Sequence, residues 1–309
     1  MAKGRAIVLR MRRHRMRSGR RFIQAISTIV LNPFVYNLFR GRIYDGWLKH
    51  TCVPALNCYS CPAAFGACPI GSLQVSLSEV RRYLTTAAEA SVAWAAVYVA
   101  SFVALVGAVA GRFPCGWLCP FGLLQEVLHI GRARGVSLPS WTRLVKYALL
   151  AVFVIFLPLG EPYPATPRYC ELVCPAGTVE AGLPIVGYYR ITGEATLKLG
   201  ALFAWKVFLG LAFWGGAALF SRFFCRTACP LGAAWGLFNR VSLLAIEVDK
   251  GACTHCGFCR TVCPVDICIY EDPDSSECIR CLECRRCPEK AVKFVVRGFG
   301  TRVTDRLAR

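Results

Sequence analysis

Nineteen of the 309 residues are cysteine, and their spacing singles out iron–sulfur chemistry. Cys253, Cys256, Cys259 and Cys263 form a Cys-x2-Cys-x2-Cys-x3-Cys-Pro run. In such a run three closely spaced thiolates grip one [4Fe–4S] cube and the fourth reaches a second cube. Cys278, Cys281, Cys284 and Cys287 form another run that ends in Cys-Pro, with two rather than three residues before its last cysteine. Crossed ligation predicts Cys253, Cys256, Cys259 and Cys287 on one cluster, with Cys278, Cys281, Cys284 and Cys263 on the other. The short final spacing puts the geometry of Cys287 in question and leaves Cys268 as a spare thiol nearby. Paired Cys-x2-Cys also suits zinc, but two tandem runs that each close on Cys-Pro point to iron and sulfur.

The other cysteines repeat a different pattern. Cys-Pro-x-Gly occurs at Cys68, Cys119, Cys174 and Cys229, and in the last three a second cysteine lies four residues earlier, at Cys115, Cys170 and Cys225. The offset from Cys119 to Cys229 is 110 residues, and from Cys68 to Cys174 it is 106. Two copies related by a pseudo-two-fold axis along the membrane normal would bring Cys115, Cys119, Cys225 and Cys229 together at an inner face. Four thiolates are what a [4Fe–4S] cluster needs. Proline after the cysteine suits the first turn of a helix, which sets the thiol at a helix N-terminus where the dipole favours thiolate. Arg112, Arg222 and Arg226 flank these motifs and can offset an anionic cluster. On the outer face Cys170 and Cys174 face four candidates, Cys52, Cys58, Cys61 and Cys68; the expected set is Cys170, Cys174, Cys68 and either Cys58 or Cys61, with disulfides as the alternative.

Long apolar segments must position these motifs. Hydrophobic residues make up 55% of the chain and mean hydropathy is +0.45, above the usual soluble range. Ser91–Ala110 is twenty uncharged residues, enough to cross a bilayer. Leu199–Ser221 carries Lys206, Trp141–Gly160 spans if Arg143 and Lys146 snorkel to a headgroup layer, and Phe22–Phe39 is interrupted by Asn32-Pro33. Lys206 reads equally as a cluster or quinone counter-charge and as a snorkelling lysine. His50 and His129 fall on opposite faces, which disfavours a haem between them.

The net charge of +19 first suggests nucleic acid. Its placement argues otherwise. With four spans and the N-terminus inside, inner segments hold 28 Lys/Arg and outer segments 8, so the surplus is topological and both termini are expected in the cytoplasm. The expected architecture is a basic tail (1–21), a membrane all-α part of four transmembrane helices in two parallel repeats (22–240, halves 22–140 and 141–240), and a small α+β ferredoxin-like domain with two [4Fe–4S] clusters (241–309). In that domain the β-prone stretches 241–248 and 291–296 can pair.

These motifs resemble membrane-bound polyferredoxins of the NapH/MauN type, related to the C-terminal part of NosR and to the CcoG (FixG) proteins. The matching elements are CysGlyTrpLeuCysProPheGly, CysArgThrAlaCysProLeuGly and the two ferredoxin runs; AsnCysTyrSerCysPro and CysProIleGlySerLeuGln are similar to a 4Fe-4S binding membrane subgroup. The resemblance implies a multi-pass protein of a prokaryotic cytoplasmic membrane. It implies quinol-linked electron transfer to a redox protein, as a quinol dehydrogenase component of a multi-subunit oxidoreductase, with no nucleic-acid partner. A metal-reducing assembly factor and a redox sensor are the competing expectations.

Overall fold

The computed structural model describes residues 19–86, 91–129, 138–160, 166–193 and 199–297. It is mostly helical, with one two-stranded sheet. Helix α1 (19–31) ends where Pro33 removes a backbone donor and forces Asn32 out of helical geometry. A 3-10 turn, Val35–Arg40, follows and closes on Gly41 at φ +59°. The expected span Phe22–Phe39 is therefore not one helix; its described α-helical part, 22–31, rises about 15 Å, against a hydrocarbon core of about 30 Å.

Helix α2 (Pro69–Thr86) folds back along α3 (Ser91–Ala110). The short α4 (Phe113–Trp117) and α5 (Pro120–Leu128) carry the first inner motif. Helix α6 (Thr142–Gly160) and helix α9 (Ala201–Leu219) are long and apolar enough to cross a membrane, and a third, Trp94–Ala110 within α3, is apolar but shorter. Between them lie α7 (Arg168–Leu172) and α8 (Leu183–Thr192); α10 (Phe223–Thr227) and α11 (Pro230–Phe238) carry the second inner motif. Helix α6 widens into a π-helix over Leu150–Phe156, and Thr178–Gly182 does the same ahead of α8. Each widening precedes a proline, Pro158 or Pro184, whose ring pushes against the carbonyl one turn back.

The C-terminal part pairs β1 (Leu244–Val248) antiparallel with β2 (Val292–Val296), in the register Leu244↔Val296 to Val248↔Val292. The pairing follows the two β-prone stretches, with β1 starting three residues later than the first. Between the strands lies α12 (Phe258–Val262). One apolar core runs without a break from Leu31 and Val53 through the inner cysteines to Ile279 and Phe294.

That continuity corrects the snorkelling expectation. Lys146 is fully buried and its Nζ is bonded to Glu277 Oε1, while Arg143 donates to the Asp266 carbonyl at 3.3 Å. The first turns of α6 are covered by the ferredoxin-like part, which supplies the counter-charge that headgroups were expected to supply.

Candidate iron–sulfur centres

Cys115, Cys119, Cys225 and Cys229 line one small closed cavity, together with Arg112, Leu56 and Trp235. The two halves of the chain build it alike. Cys119 caps α5 and Cys229 caps α11, each thiol accepting a backbone N–H, from Gly122 and Gly232, at 3.4 Å. Arg112 crosses to the Cys225 carbonyl at 3.2 Å, and Arg222 crosses back to the Cys115 carbonyl at 2.6 Å. A Cβ at Gly122 would stand 3.1 Å from Arg222, and one at Gly232 2.9 Å from Arg112. The glycine of each motif is thus the space through which the other half's arginine passes.

The donor set fits an anionic cluster. Arg112 Nε and Arg222 Nη2 are buried with no hydrogen-bond partner. Among the described residues no three Cys, His or carboxylate groups converge as a single-ion chelate would; the thiols ring a cavity instead. The helix N-terminus does not leave these thiols as free thiolates. Burial, joined by the Cys225 and Cys115 thiols, pushes Cys119 up to about 12, and the Gly122 N–H offsets only part of it. Loss of water outweighs the dipole here, and a metal would displace the proton.

The outer motifs form a larger cavity of about 460 Å³, lined by Cys58, Cys68, Cys170, Cys174 and Lys206. All nineteen thiols are unbridged. Cys61 lies apart, in a small cluster with Ala63 and Ala64, its Sγ 3.7 Å from Asn32 Oδ1, so Cys58 is the residue gathered with the other three. The pseudo-dyad reaches this site too: a Cβ at Gly71 would lie 3.6 Å from Cys170 Sγ, and one at Gly177 3.5 Å from Cys58 Sγ. Lys206 turns inward and donates to the Cys170 carbonyl at 3.0 Å, against the snorkelling alternative.

Residues that the sequence reading passed over complete both sites. Gln74 and Gln125 each lie six residues after a Cys-Pro cysteine. Gln125 donates to Cys225 Sγ at 3.0 Å and accepts from Phe224 N; Gln74 donates to Cys170 Sγ at 3.6 Å and accepts from Tyr169 N. Glu180, six after Cys174, accepts from Cys58 N at 2.6 Å, and burial raises its carboxyl to about 7 although that N–H opposes it. The signal was available as a glutamine at a fixed offset in CysProIleGlySerLeuGln and CysProPheGlyLeuLeuGln.

In the ferredoxin-like part, Cys263, Cys278, Cys281 and Cys284 line one cavity, with Cys259 also on its wall. Burial pushes Cys263 and Cys278 up to about 11 and Cys281 to about 12. The other set is more open: Cys256 is exposed, Cys253 and Cys287 are half-buried, and only Cys259 is buried. Cys268 is bonded to the Tyr270 hydroxyl and lines a separate polar cavity with Arg260 and Glu271.

These sites adjoin. Leu56 lines both the outer and the inner cavity, and the fully buried Tyr169 lines the outer one while donating to the Ala228 carbonyl, beside Cys229, at 2.7 Å. The outer motifs were expected at the opposite face, a bilayer away. Instead α2 carries Cys68 away from that end: its Arg81 meets the Leu159 carbonyl near the end of α6, and Cys68, just before α2, stands about 20 Å from Arg81 along the α2 axis. On the other side, a Cβ at Gly116 would lie 2.4 Å from the Ile279 carbonyl, between Cys278 and Cys281. Trp117 Nε1 donates to the Arg280 carbonyl at 3.0 Å, and Asn239 Nδ2 to the Cys278 carbonyl at 2.9 Å.

Two buried carboxylates lock this seam. Glu277 is held by Arg112 and Lys146, and Glu126 by Arg20 at 2.6 Å and Arg222 at 2.6 Å. Burial alone would raise Glu126, but the Arg222 and Arg20 guanidiniums outweigh it and hold the carboxyl at about 2.

Residues 92–137 and 201–246 each match the model of a 4Fe-4S binding domain, so the match itself is duplicated across the two halves. An uncharacterized protein of Methanocaldococcus jannaschii is 31% identical over 201 residues, 64% of this chain and 71% of that protein. The ferredoxin-type protein NapH of Haemophilus influenzae is 27% identical, covering 64% of this chain and 67% of its own length. The methylamine utilization ferredoxin-type protein MauN of Paracoccus denitrificans is 29% identical, covering 55% and 53%. The chain belongs to the NapH/MauN family of polyferredoxin-type 4Fe-4S proteins. No solved structure matches it. Within the NapH/MauN frame, the duplicated domain corresponds to α3 with the first inner motif and α9 with the second.

Proposed function

We propose that this NapH/MauN-type protein is a membrane-embedded electron relay with four [4Fe–4S] clusters in series. The observation that carries the reading is the contiguity of the four cysteine sets. Cys58, Cys68, Cys170 and Cys174 would hold the first cluster and Cys115, Cys119, Cys225 and Cys229 the second. Cys263, Cys278, Cys281 and Cys284 would hold the third, and Cys253, Cys256, Cys259 and Cys287 the fourth. Bound clusters supply one-electron transfer at potentials set by burial and hydrogen bonds. The chain's own part is to fix their separations through Leu56, Tyr169, Gly116 and Trp117 and to keep water out. The exposed Cys256 end is where a redox partner protein would dock. The excess of basic residues in 1–21, 111–146 and 222–309 supports placing those segments on the cytoplasmic side.

A quinol is the proposed electron donor. A cavity of about 590 Å³ lies between α2, α3 and the preceding loop, within the usual range for ligand pockets. Exposed Trp94 and Tyr98 on the apolar α3 form its apolar side, and Lys49, His50 and Glu79 its polar one. Tyr59 lines both this cavity and the outer cysteine cavity, so a quinol there would stand one side chain from the first site. Exposed outer thiols would favour a metal-reducing assembly factor; Cys68 and Cys174 are buried.

The test is iron and acid-labile sulfide per chain on protein purified without oxygen. The relay requires about sixteen irons; about eight would restrict clusters to the ferredoxin-like part and overturn it. For the donor, His50→Phe and Glu79→Gln should raise the quinol KM while iron content stays unchanged, and an unaltered KM in both would exclude this cavity.

A further inference from the structure

The two inner motifs share their arginine, both cysteines, the proline and the glycine, but they differ at the residue after the first cysteine, which meets the ferredoxin-like part. After Cys115 comes Gly116, against which the Ile279 backbone rests. After Cys225 comes Arg226, 4% exposed, with Nε and one terminal nitrogen making no hydrogen bond. Its nearest carboxylate is Asp266, at 4.0 Å, which already binds Arg260 at 2.9 Å. Arg143 approaches from α6, bonded to the Asp266 carbonyl, with its own Nε also buried and unpartnered. Glu277, the other nearby acid, is taken by Arg112 and Lys146.

Three guanidiniums therefore gather at Asp266: Arg226 and Arg260 at its carboxylate and Arg143 at its backbone carbonyl, with Arg226 the buried one. Burying an uncompensated guanidinium is costly, and a second beside it adds repulsion. Such an arrangement calls for an anion. Asp266, which Arg226 approaches, donates its N–H to the Cys263 carbonyl at 3.4 Å, and Cys263 lines the cavity shared with Cys278, Cys281 and Cys284.

We propose that Arg226, supported by Arg143, is the charge that sets the reduction potential of the cluster held by Cys263, Cys278, Cys281 and Cys284. The inference rests on the ligand set given above. A four-thiolate cluster is anionic and gains one more negative charge when it takes up an electron, so a fixed cation favours its reduced form. The duplicated motif thus meets the third site from two sides: glycine admits its backbone, and arginine supplies its counter-charge. Electrons leaving the symmetric inner site would be drawn toward the ferredoxin-like part.

The test is a redox titration, followed by electron paramagnetic resonance, of the full-length protein purified without oxygen. Cys263→Ser identifies the third site's signal by removing it. Arg226→Gln should shift the reduction equilibrium of that signal at least tenfold toward the oxidised form, about 59 mV lower for one electron. Arg226→Lys should recover most of the shift, with iron content and the other signals unchanged. An unchanged potential in Arg226→Gln, with the signal intact, overturns the proposal. If that variant does not accumulate, Arg143→Gln should move the same signal the same way by less, and no movement there overturns it equally. If Cys263→Ser leaves every signal in place, the ligand set itself is wrong and the proposal falls with it.

Discussion

The inner quartet and the more open of the two ferredoxin-like sets each offer four thiols, in opposite surroundings. Cys115, Cys119, Cys225 and Cys229 are all buried, met by backbone N–H groups, Gln125 and two crossing arginines. Cys253, Cys256, Cys259 and Cys287 sit on a short loop-rich segment, with Cys256 open to water. The first arrangement needs both halves of the chain to exist; the second is assembled almost wholly from local sequence. A site made from two distant halves holds its cofactor rigidly and away from solvent. A site made locally can face a partner. In the proposed relay, one protein would carry a sealed interior station and an accessible terminal one.

Cysteine replacement should break the comparison most sharply. Cys119→Ser and Cys229→Ser should each abolish the same spectroscopic signal, because neither half can supply four thiolates alone, while Cys253→Ser leaves that signal intact. Independent, partial losses from the first two would mean that the halves do not share a site.

Next in size is the buried carboxylate under the quartet. Glu126→Ala leaves buried Arg222 with no carboxylate and Arg20 with only Glu283, at 3.4 Å, and should cost about 3–5 kcal/mol of stability, read as a fall in Tm. The wild type should show the same dependence on pH. A carboxyl held at about 2 in the folded state binds its proton more weakly than in the unfolded chain, where 4.5 is the ordinary value. Its contribution is complete above pH 4.5 and is lost as the pH falls from there toward 2. Glu126→Gln should flatten that acid limb, and an unchanged limb would remove Glu126 from the seam's electrostatics.

The smallest effects come from two glycines of different kinds. Gly232 is small because Arg112 passes 2.9 Å from where its Cβ would be, whereas Gly257 in the first run has open space and φ +71°. Gly232→Asn should lower stability by about 1–3 kcal/mol through crowding. Gly257→Asn should be nearly neutral, since asparagine tolerates left-handed backbone. Thermal melts of the two variants decide it, and equal losses would erase the distinction.

Spacing revealed what is local or strictly repeated. The ferredoxin runs, the 110-residue offset, the inner quartet and the pairing of β1 with β2 could all be read from residue order. Depth could not. Cys58 and Cys61 are equivalent on paper, and only the folded chain, which lines the outer cavity with Cys58 and sets Gly177 against it, separates them. Arg143 and Lys146 look like headgroup anchors because a lone sequence does not say that Glu277 and Asp266, more than a hundred residues later, will cover that end of α6. Helix α2 passed unassigned because Glu79, Arg81 and Arg82 dilute its apolar face. The break at Asn32-Pro33 was visible as composition, and its consequence followed from proline chemistry.

The loop from Cys52 to Cys68 is irregular yet almost wholly buried, with Ala55, Asn57 and Ala64 at 1% exposure or less. Irregular backbone cannot lie against lipid tails, because its N–H and C=O groups would go unpaired. Cys58 N finds its acceptor in Glu180, 122 residues further on. During synthesis, then, the loop cannot reach this buried arrangement until the second half of the chain, with Glu180, has been made. Until that point its backbone groups would need another polar partner. Cofactor delivery to the outer thiols has that same interval in which to occur, so membrane insertion and metal loading would share one clock.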